Sequence, residues 1–253
     1  MTLLFINARL IDPEAGPDSL GALLVQDGTI TEVLPAGTEP GQLFRARNID
    51  AGSVEIIDCD GKCLAPGIVD IGVKVCEPGE RHKESYKTAG LAAAAGGVTT
   101  IVTRPDTAPA IDSPETLEFV TRRAQADAPV HVLPMAALTK GRDGREMTEI
   151  GFLMDAGAVA FSDCDHVVSN TKVFSRALTY ARSCGALVIA HPQEPLLSAG
   201  AAATSGKFAA LRGLPAVSPM AERMGLDRDI ALLEMTGAKY HADQITTARA
   251  LPA

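Results

Sequence analysis

Short apolar and β-branched runs dominate the chain up to residue 64. They fall at 3–6, 23–25, 29–33 and 54–59, with turn sequences such as Asp27-Gly28 and Asp60-Gly61 between them. No stretch of this region shows the 3.6-residue apolar repeat of an amphipathic helix. The pattern predicts a small β-domain over residues 1–64, without helices.

From residue 65 onward, apolar strand-like runs alternate with segments of helical period. Strands are predicted at 67–75, 98–103, 130–137, 158–161, 187–191 and 239–244, and helices at 83–95, 113–126, 148–156, 172–183 and 219–236. Glycines such as Gly185 and Gly237 stand between a helix and the next strand, where a left-handed residue closes a helix. Buried strands that alternate with helices indicate a parallel sheet with right-handed crossovers.

The number of βα units favours a barrel. Six predicted units exceed the needs of a small flavodoxin-like sheet and fall short of the eight units of a closed (β/α)₈ barrel. We therefore predict an α/β fold with a TIM-type barrel over residues 65–253, incomplete after about six units. The sequence stops at Ala253, early in the sixth helix, so we expect it to be part of a longer chain.

Composition excludes several classes of protein. The 253 residues are 46% hydrophobic and 21% charged, as in ordinary globular proteins, and the formal net charge of −8 disfavours nucleic-acid binding. The first residues lack the segments of a signal peptide, and no apolar run is suited to span a membrane. The odd number of cysteines, five, argues against a disulfide framework and favours a reducing cytoplasm.

Polar side chains follow most of the predicted barrel strands, at the carboxyl ends where such barrels place their chemistry. Alternation along the first of these strands puts Ile71 and Val73 against the helices and Lys74 into the barrel mouth. An ammonium group there needs a counter-charge, for which Asp163 and Asp165 are candidates. The alternative is that Lys74 extends into water.

Metal ligands of the right chemistry follow the fourth and fifth strands. Asp163 and His191 are suitable, but catalytic zinc takes about three protein ligands and one open position. Cys76 and Cys164 can supply thiolates at the same rim, although a buried cysteine more often serves as a small hydrophobic residue. These residues alone leave open both a zinc site and ordinary packing roles.

The order of several segments resembles the dihydroorotase family of the amidohydrolase superfamily. The matching segments are Ala65-Pro-Gly-Ile-Val-Asp70, Glu77-Pro-Gly79, Lys83-Glu84, residues 92–100 (AAAAGGVTT), Phe161-Ser-Asp163 and His191-Pro192. The resemblance covers essentially the whole chain. It implies a barrel of the amidohydrolase kind, whose N-terminal strands join C-terminal ones in a small β-sandwich.

The same resemblance shows which catalytic residues are missing. Active members of the family end the first barrel strand in Asp-x-His-x-His-x-Arg, where both histidines bind zinc and the arginine binds the substrate carboxylate. The corresponding residues here are Asp70, Gly72, Lys74 and Cys76. The family's Pro-Asn-Thr, whose asparagine contacts substrate, is Pro105-Asp106-Thr107 in this chain.

Only some of the family's later metal-ligand positions have a matching residue in this chain. The His-x-x-His pattern of the sixth strand becomes His241 and Gln244, and the family's catalytic aspartate would lie beyond Ala253. The resemblance therefore leaves Asp163 and His191 as remnant metal-ligand positions. It implies no catalytic and no substrate-binding residue in this chain.

Two functions remain open after these substitutions. Replacing imidazoles by a glycine and an ammonium removes donors and adds positive charge where zinc would lie, so we expect an inactive dihydroorotase-like protein of pyrimidine biosynthesis with no cofactor. Non-catalytic relatives assemble with aspartate transcarbamoylase, and the resemblance suggests that partner and an oligomer. The alternative is an active zinc-dependent cyclic amidohydrolase, acting on dihydroorotate or a hydantoin-like substrate. Its metal site would use Asp163, His191 and one of Cys164, Cys76 or Asp165.

Overall fold

The computed structural model describes residues 1–14 and 18–252 of the chain. Contacts within the chain divide it into two units, Met1–Gly67 and Ile68–Ala253. Ala253, on which the expectation of a longer chain rests, lies outside the described residues. Within those residues, no helix is both long enough and apolar enough to cross a lipid bilayer.

A mixed five-stranded sheet forms most of the first unit. Its strands are β1 (Thr2–Leu10), β2 (Ser19–Gln26), β3 (Thr29–Pro35), β4 (Val54–Asp58) and β5 (Cys63–Leu64). The order is β3-β2-β1-β4, and β5 also pairs with β1. The antiparallel pairs are β1–β2 and β2–β3, whereas β4 and β5 run parallel to β1. The four predicted strands of this region are confirmed, and their membership of a sandwich stays a prediction.

A helix in the first unit corrects the expectation of an all-β region. Helix α1 (Pro40–Arg47) starts at a proline and ends at Asn48, which has a left-handed backbone. Only Leu43 and Phe44 of the helix are buried, and they pack on the sheet in a small core. Two adjacent apolar residues in an eight-residue helix give no 3.6-residue repeat, so the pattern could not reveal it.

Helices and short strands alternate along the second unit. The elements are β6 (Ile68–Val73), α2 (Tyr86–Ala95), β7 (Val98–Thr103), α3 (Pro114–Asp127), β8 (His131–Pro134), α4 (Ile150–Asp155), α5 (Thr171–Cys184), β9 (Leu187–Ala190), α6 (Pro195–Ser198), β10 (Ala203–Thr204), α7 (Lys207–Arg212), β11 (Ala216–Val217), α8 (Met220–Thr236) and β12 (Lys239–Ala242). The five predicted helices are confirmed. The short elements α6, β10, α7 and β11 were not predicted, since none is long enough to show a period.

The main strands of this unit lie side by side in chain order. Strands β6, β7 and β8 are parallel neighbours, and β9 pairs in parallel with β12. Phe161 joins the two groups, because it bridges Ala136 on one side and Val188 on the other. Chain-order pairing of parallel strands is typical of an arc of a βα barrel.

The predicted strand at 158–161 is wrong in extent, since Phe161 alone bridges neighbours on both sides. The amide of Ala158 donates to the carbonyl of Leu153 at 2.9 Å, so the start of the run stays attached to the end of α4. Gly157, directly before this run, has φ 104° and turns the chain towards the sheet.

The two faces of this sheet differ in what packs against them. Helices pack on one face and form the main core, with Phe174 and Leu178 of α5 among the buried residues. The opposite face, which we call the helix-free face, holds a smaller cluster of Val102, Met135, Ala160 and Ile189. Ile71, Val102 and Leu133 pair across β6, β7 and β8 and so lie on this same face. Its residues Val69, Ile71 and Leu133 are 55%, 54% and 40% exposed.

Candidate functional site

The carboxyl ends of the parallel strands bring together charged side chains from three segments. Lys74 follows β6, Arg104 and Asp106 follow β7, and Asp165 lies just after Phe161. Ion pairs connect all four of these side chains. The predicted polar rim is therefore a connected cluster rather than a set of separate residues.

Asp106, not Asp163, is the partner of Lys74. The ammonium nitrogen of Lys74 lies 3.0 Å from Oδ2 of Asp106, and Nη2 of Arg104 lies 3.1 Å from the same oxygen. The predicted pairing of Lys74 with Asp163 or Asp165 is thus wrong. Asp106 is the nearer acidic residue because β6 and β7 are neighbours, so their following loops meet.

The two partners of this ion pair differ in their exposure to solvent. Its side chain is only 3% exposed, whereas that of Lys74 is 53% exposed. The hydrogen bond and the charge of Asp106 raise the pKa of Lys74 above its usual value. Lys74 is therefore a fixed cation at neutral pH, and Asp106 is balanced by two cations.

A bulge at Gly72 breaks the alternation that the sequence suggested for β6. Ile71 pairs with Val102 and Val73 pairs with Thr103, so one residue of β6 is extra at this point. Gly72 has φ 96°, a backbone conformation that side chains rarely adopt. As a result Val73 packs against the main core, while Ile71 lies on the helix-free face rather than against the helices.

Asp163 is buried and fully hydrogen-bonded. Oδ1 accepts the amides of Leu138 and Thr139 at 3.0 and 2.9 Å, and Oδ2 accepts the hydroxyl of Thr139. Burial raises the pKa of Asp163, and these hydrogen bonds oppose that rise. Both oxygens are thus engaged in holding the segment after β8.

His191 lines the same small cavity as Asp163. Its Nε2 lies 3.1 Å from Oε1 of Gln193, and a bond to that acceptor puts the proton on Nε2. Its Nδ1 is buried and has no partner among residues 1–14 and 18–252. The two remnant ligand positions therefore share a cavity but make no direct hydrogen bond.

Two arginines that were not among the predicted site residues approach Asp165. Oδ1 of Asp165 lies 3.5 Å from Nη2 of Arg104 and 3.4 Å from Nη1 of Arg142. Nη1 of Arg142 also donates to the carbonyl of Asp163 at 3.3 Å. Burial opposes ionisation of Asp165, but its backbone hydrogen bond and Arg104 lower its pKa overall. The sequence offered one signal for these two residues, namely that each arginine lies in a loop that follows a barrel strand.

The residues present do not fit a zinc centre. Cys164 is buried, and burial raises the pKa of its thiol to about 11, as expected for a cysteine packed as a small hydrophobic residue. His241 is exposed on β12, and Gln244 lies beyond that strand. Across the described part of the chain, no group of three or more His, Cys, Asp or Glu side chains could hold a metal ion. With both oxygens of Asp163 already engaged, His191 is the one ligand position with a free donor atom.

Cavities near this cluster are small. One is lined by Asp163 and His191, and another by Arg104 and Cys164; each has room for about one water molecule. A much larger cavity of about 790 Å³ lies at the opposite ends of the strands, lined by Val98 and His131 among others. That cavity is far from the charged cluster, so its size says nothing about the chemistry there.

Known proteins resemble this chain in sequence and in fold. The dihydro-orotase-like family matches residues 61–250. A dihydroorotase of Syntrophobacter fumaroxidans is 36% identical over 253 residues, covering 98% of this chain and 55% of the relative. A dihydroorotase-like protein of Pseudomonas putida is 36% identical over 249 residues, covering 98% and 56% respectively. The chain thus spans about half the length of these curated relatives.

A solved structure shares the fold. The L-hydantoinase (dihydropyrimidinase) of Arthrobacter aurescens superposes with a TM-score of 0.75 at 19% identity, covering 94% of this chain and 51% of that one. This likeness confirms the predicted α/β fold. The incompleteness of the barrel stays a prediction.

Proposed function

The chain belongs to the dihydro-orotase-like family of cyclic amidohydrolases, and from this premise we propose that it is a non-hydrolytic member with a structural role. The observation that carries the proposal is the ion pair between Lys74 and Asp106. Lys74 stands at one of the two positions where the family resemblance places a zinc-binding histidine. Gly72 stands at the other, with a backbone that disfavours any side chain.

Electrostatics explains why this arrangement does not support hydrolysis by the family's route. Zinc would activate water by lowering its pKa, which requires a firmly held cation. Here an ammonium group supplies the positive charge, Oδ2 of Asp106 is paired with two cations, and both oxygens of Asp163 accept hydrogen bonds. The family's arginine for the substrate carboxylate is replaced by Cys76.

We further propose that the protein acts in pyrimidine biosynthesis as an assembly partner of aspartate transcarbamoylase, in an oligomer in the cytoplasm. The support is the combination of family membership with the loss of the ligand set. A chain that keeps the fold but lacks the metal site can still contribute to a pathway by binding another protein through its surface.

One observation favours a second function, an active amidohydrolase with a remodelled metal site. Asp163 and His191 line one cavity, and Nδ1 of His191 is buried without a partner among the described residues. An orphaned imidazole nitrogen is a suitable metal donor. The rival site would need its remaining ligands from Cys76, Cys164 or Asp165.

Metal content and turnover separate the two functions. We expect the purified protein to contain less than about a tenth of an equivalent of zinc and to hydrolyse neither dihydroorotate nor hydantoin. The matched control is the His191→Asn variant, which should have the same residual metal content. Near-stoichiometric zinc that is lost in this variant, together with turnover, would establish the active enzyme instead.

Co-purification tests the assembly role. Tagged full-length protein, isolated from its native lysate, should retain aspartate transcarbamoylase at a fixed ratio through size exclusion. Elution of the protein without that enzyme would contradict the proposed partner and would leave the metal result unaffected.

A further inference from the structure

Arg104 and Arg142 face one another across a single exposed carboxylate. Both guanidinium groups approach the same oxygen of Asp165, at 3.5 and 3.4 Å. The arginine side chains are 16% and 15% exposed, whereas that of Asp165 is 69% exposed. These distances are long for ion pairs with arginine, which normally bring nitrogen and oxygen to about 2.8 Å. Asp165 is therefore a loosely held partner above two well-buried cations.

Unused donors remain on both arginines. Nε of Arg104 and Nε of Arg142 are buried and have no hydrogen-bond partner within residues 1–14 and 18–252. Buried donors of this kind are normally satisfied by protein, water or a ligand. A guanidinium offers two parallel donors to a carboxylate, and the tethered Asp165 uses only one on each arginine.

The excess of positive charge in the cluster also favours the binding of an anion. Lys74, Arg104 and Arg142 are cations, and Asp106 is shared by the first two. Both carboxylate oxygens of Asp163 accept hydrogen bonds from residues 138–139. The group of Asp163 to which Arg142 donates is the backbone carbonyl, not the carboxylate. Without Asp165, three cations would have Asp106 as their one ion-pair partner in the cluster.

We propose that Arg104 and Arg142 form a binding site for a small-molecule carboxylate, which Asp165 occupies as an internal competitor. A free carboxylate can adopt the bidentate geometry that the tethered side chain does not reach. Asp165 then moves into the solvent to which it is already exposed. This inference goes beyond the proposed function, because such binding needs neither a metal nor a protein partner.

Competition with Asp165 gives the site a measurable signature. The probe is sodium acetate, titrated against the thermal unfolding midpoint of the chain at constant ionic strength with sodium chloride. Acetate should raise the midpoint. The Asp165→Asn variant should lower the half-saturating acetate concentration roughly fivefold, since an exposed ion pair no longer competes. Asp143→Asn, which removes an exposed carboxylate from the preceding loop, should leave that concentration unchanged.

The arginines are tested by a second pair of variants. Arg142→Gln should abolish the response to acetate, whereas Arg145→Gln, which removes the same charge from an exposed position of the same loop, should keep it. If Arg142→Gln does not fold, Arg142→Lys provides the test, because it keeps the charge but loses the forked donor and should weaken acetate binding at least threefold.

Three outcomes would overturn the proposal. The first is an equal acetate response in the wild type and Asp165→Asn. The second is an equal loss in Arg142→Gln and Arg145→Gln, which would indicate a general charge effect. The third is inorganic phosphate that binds more tightly than acetate with the same dependence on Asp165 and Arg142, which would assign the site to phosphate.

Discussion

The carboxylate of Asp163 accepts three hydrogen bonds from Leu138 and Thr139, and these bonds tie the segment after β8 to the segment after Phe161. A buried acceptor in this position stabilises the loop by satisfying these three donors. The same residue type at the same position can thus serve packing where the family resemblance suggests a metal ligand.

Variants of Asp163 distinguish these two roles. Asp163→Ala leaves two amides and a hydroxyl without their acceptor and should lower the free energy of unfolding by about 2–4 kcal/mol. Asp163→Asn retains an oxygen for the amides and an NH₂ for the hydroxyl, so it should cost about 1 kcal/mol or less. Urea denaturation with and without EDTA measures both, and Asp155→Ala at an exposed position is the control. Equal losses in the two Asp163 variants, abolished by EDTA, would point to a metal instead.

The pKa of Lys74 predicts a pH dependence of stability. Because Asp106 raises this pKa above the ordinary value of 10.5, the pair stabilises fully below that pH, and the stabilisation is lost as the pH rises through the raised value. Lys74 is half exposed, so we expect only about 0.5–1 kcal/mol at pH 8. The difference in unfolding free energy between wild type and Lys74→Met should shrink above pH 10.5.

Lys74→Arg is the matched control for this prediction. Its guanidinium stays protonated throughout the range, so its difference from Lys74→Met should persist at high pH. A wild-type advantage that is independent of pH would show that packing, not charge, accounts for the role of Lys74.

At the scale of elements, one close approach positions the segment that carries His191. Gly225 of α8 lies against the backbone of Gln193, where an added Cβ would come within 2.3 Å of the amide nitrogen. Gln193 in turn contacts the ring of His191. The helix can pack this closely only because residue 225 lacks a side chain.

Alanine substitutions should therefore have opposite effects at two helical glycines. Gly225→Ala forces α8 away from residue 193 and should destabilise the second unit by about 2 kcal/mol or more. Gly41→Ala in α1 meets no atom nearer than 4.0 Å and should stabilise the first unit by about 0.5–1 kcal/mol. Thermal unfolding followed by circular dichroism checks both signs. A neutral Gly225→Ala would mean that the contact with residue 193 is readily relaxed.

Prediction from sequence succeeded where a local signal was strong. Helices α3 and α5 have serine or asparagine caps and an amphipathic period, and Gly185 and Gly237 close their helices in the left-handed conformation as expected. The partner of Lys74 could not be deduced in the same way. It depends on which loops meet after β6 and β7, and the bulge at Gly72 shifts the side chains by one position.

At the scale of the whole chain, the helix-free face stands out for its exposed apolar area. Val69 and Ile71 on β6 and Leu133 on β8 are each at least 40% exposed, and β6 pairs with β7 along one edge. Apolar residues grouped on a strand at the edge of a sheet promote association and dye binding.

Substitution on this face should lower the apolar exposure of the protein. The double variant Val69→Thr with Ile71→Thr should reduce the fluorescence of a bound hydrophobic dye by roughly half, with the fold retained by circular dichroism. Met235→Thr, which removes a more exposed apolar side chain from α8, is the control. Unchanged fluorescence in the double variant would place the dye elsewhere on the chain.

The left-handed backbone at residue 72 carries an evolutionary consequence. A mutation that reinstated an imidazole there would strain the main chain, and it would gain nothing until residue 74 had also changed. Restoring one ligand position at residue 72 would therefore strain the backbone without completing a metal site.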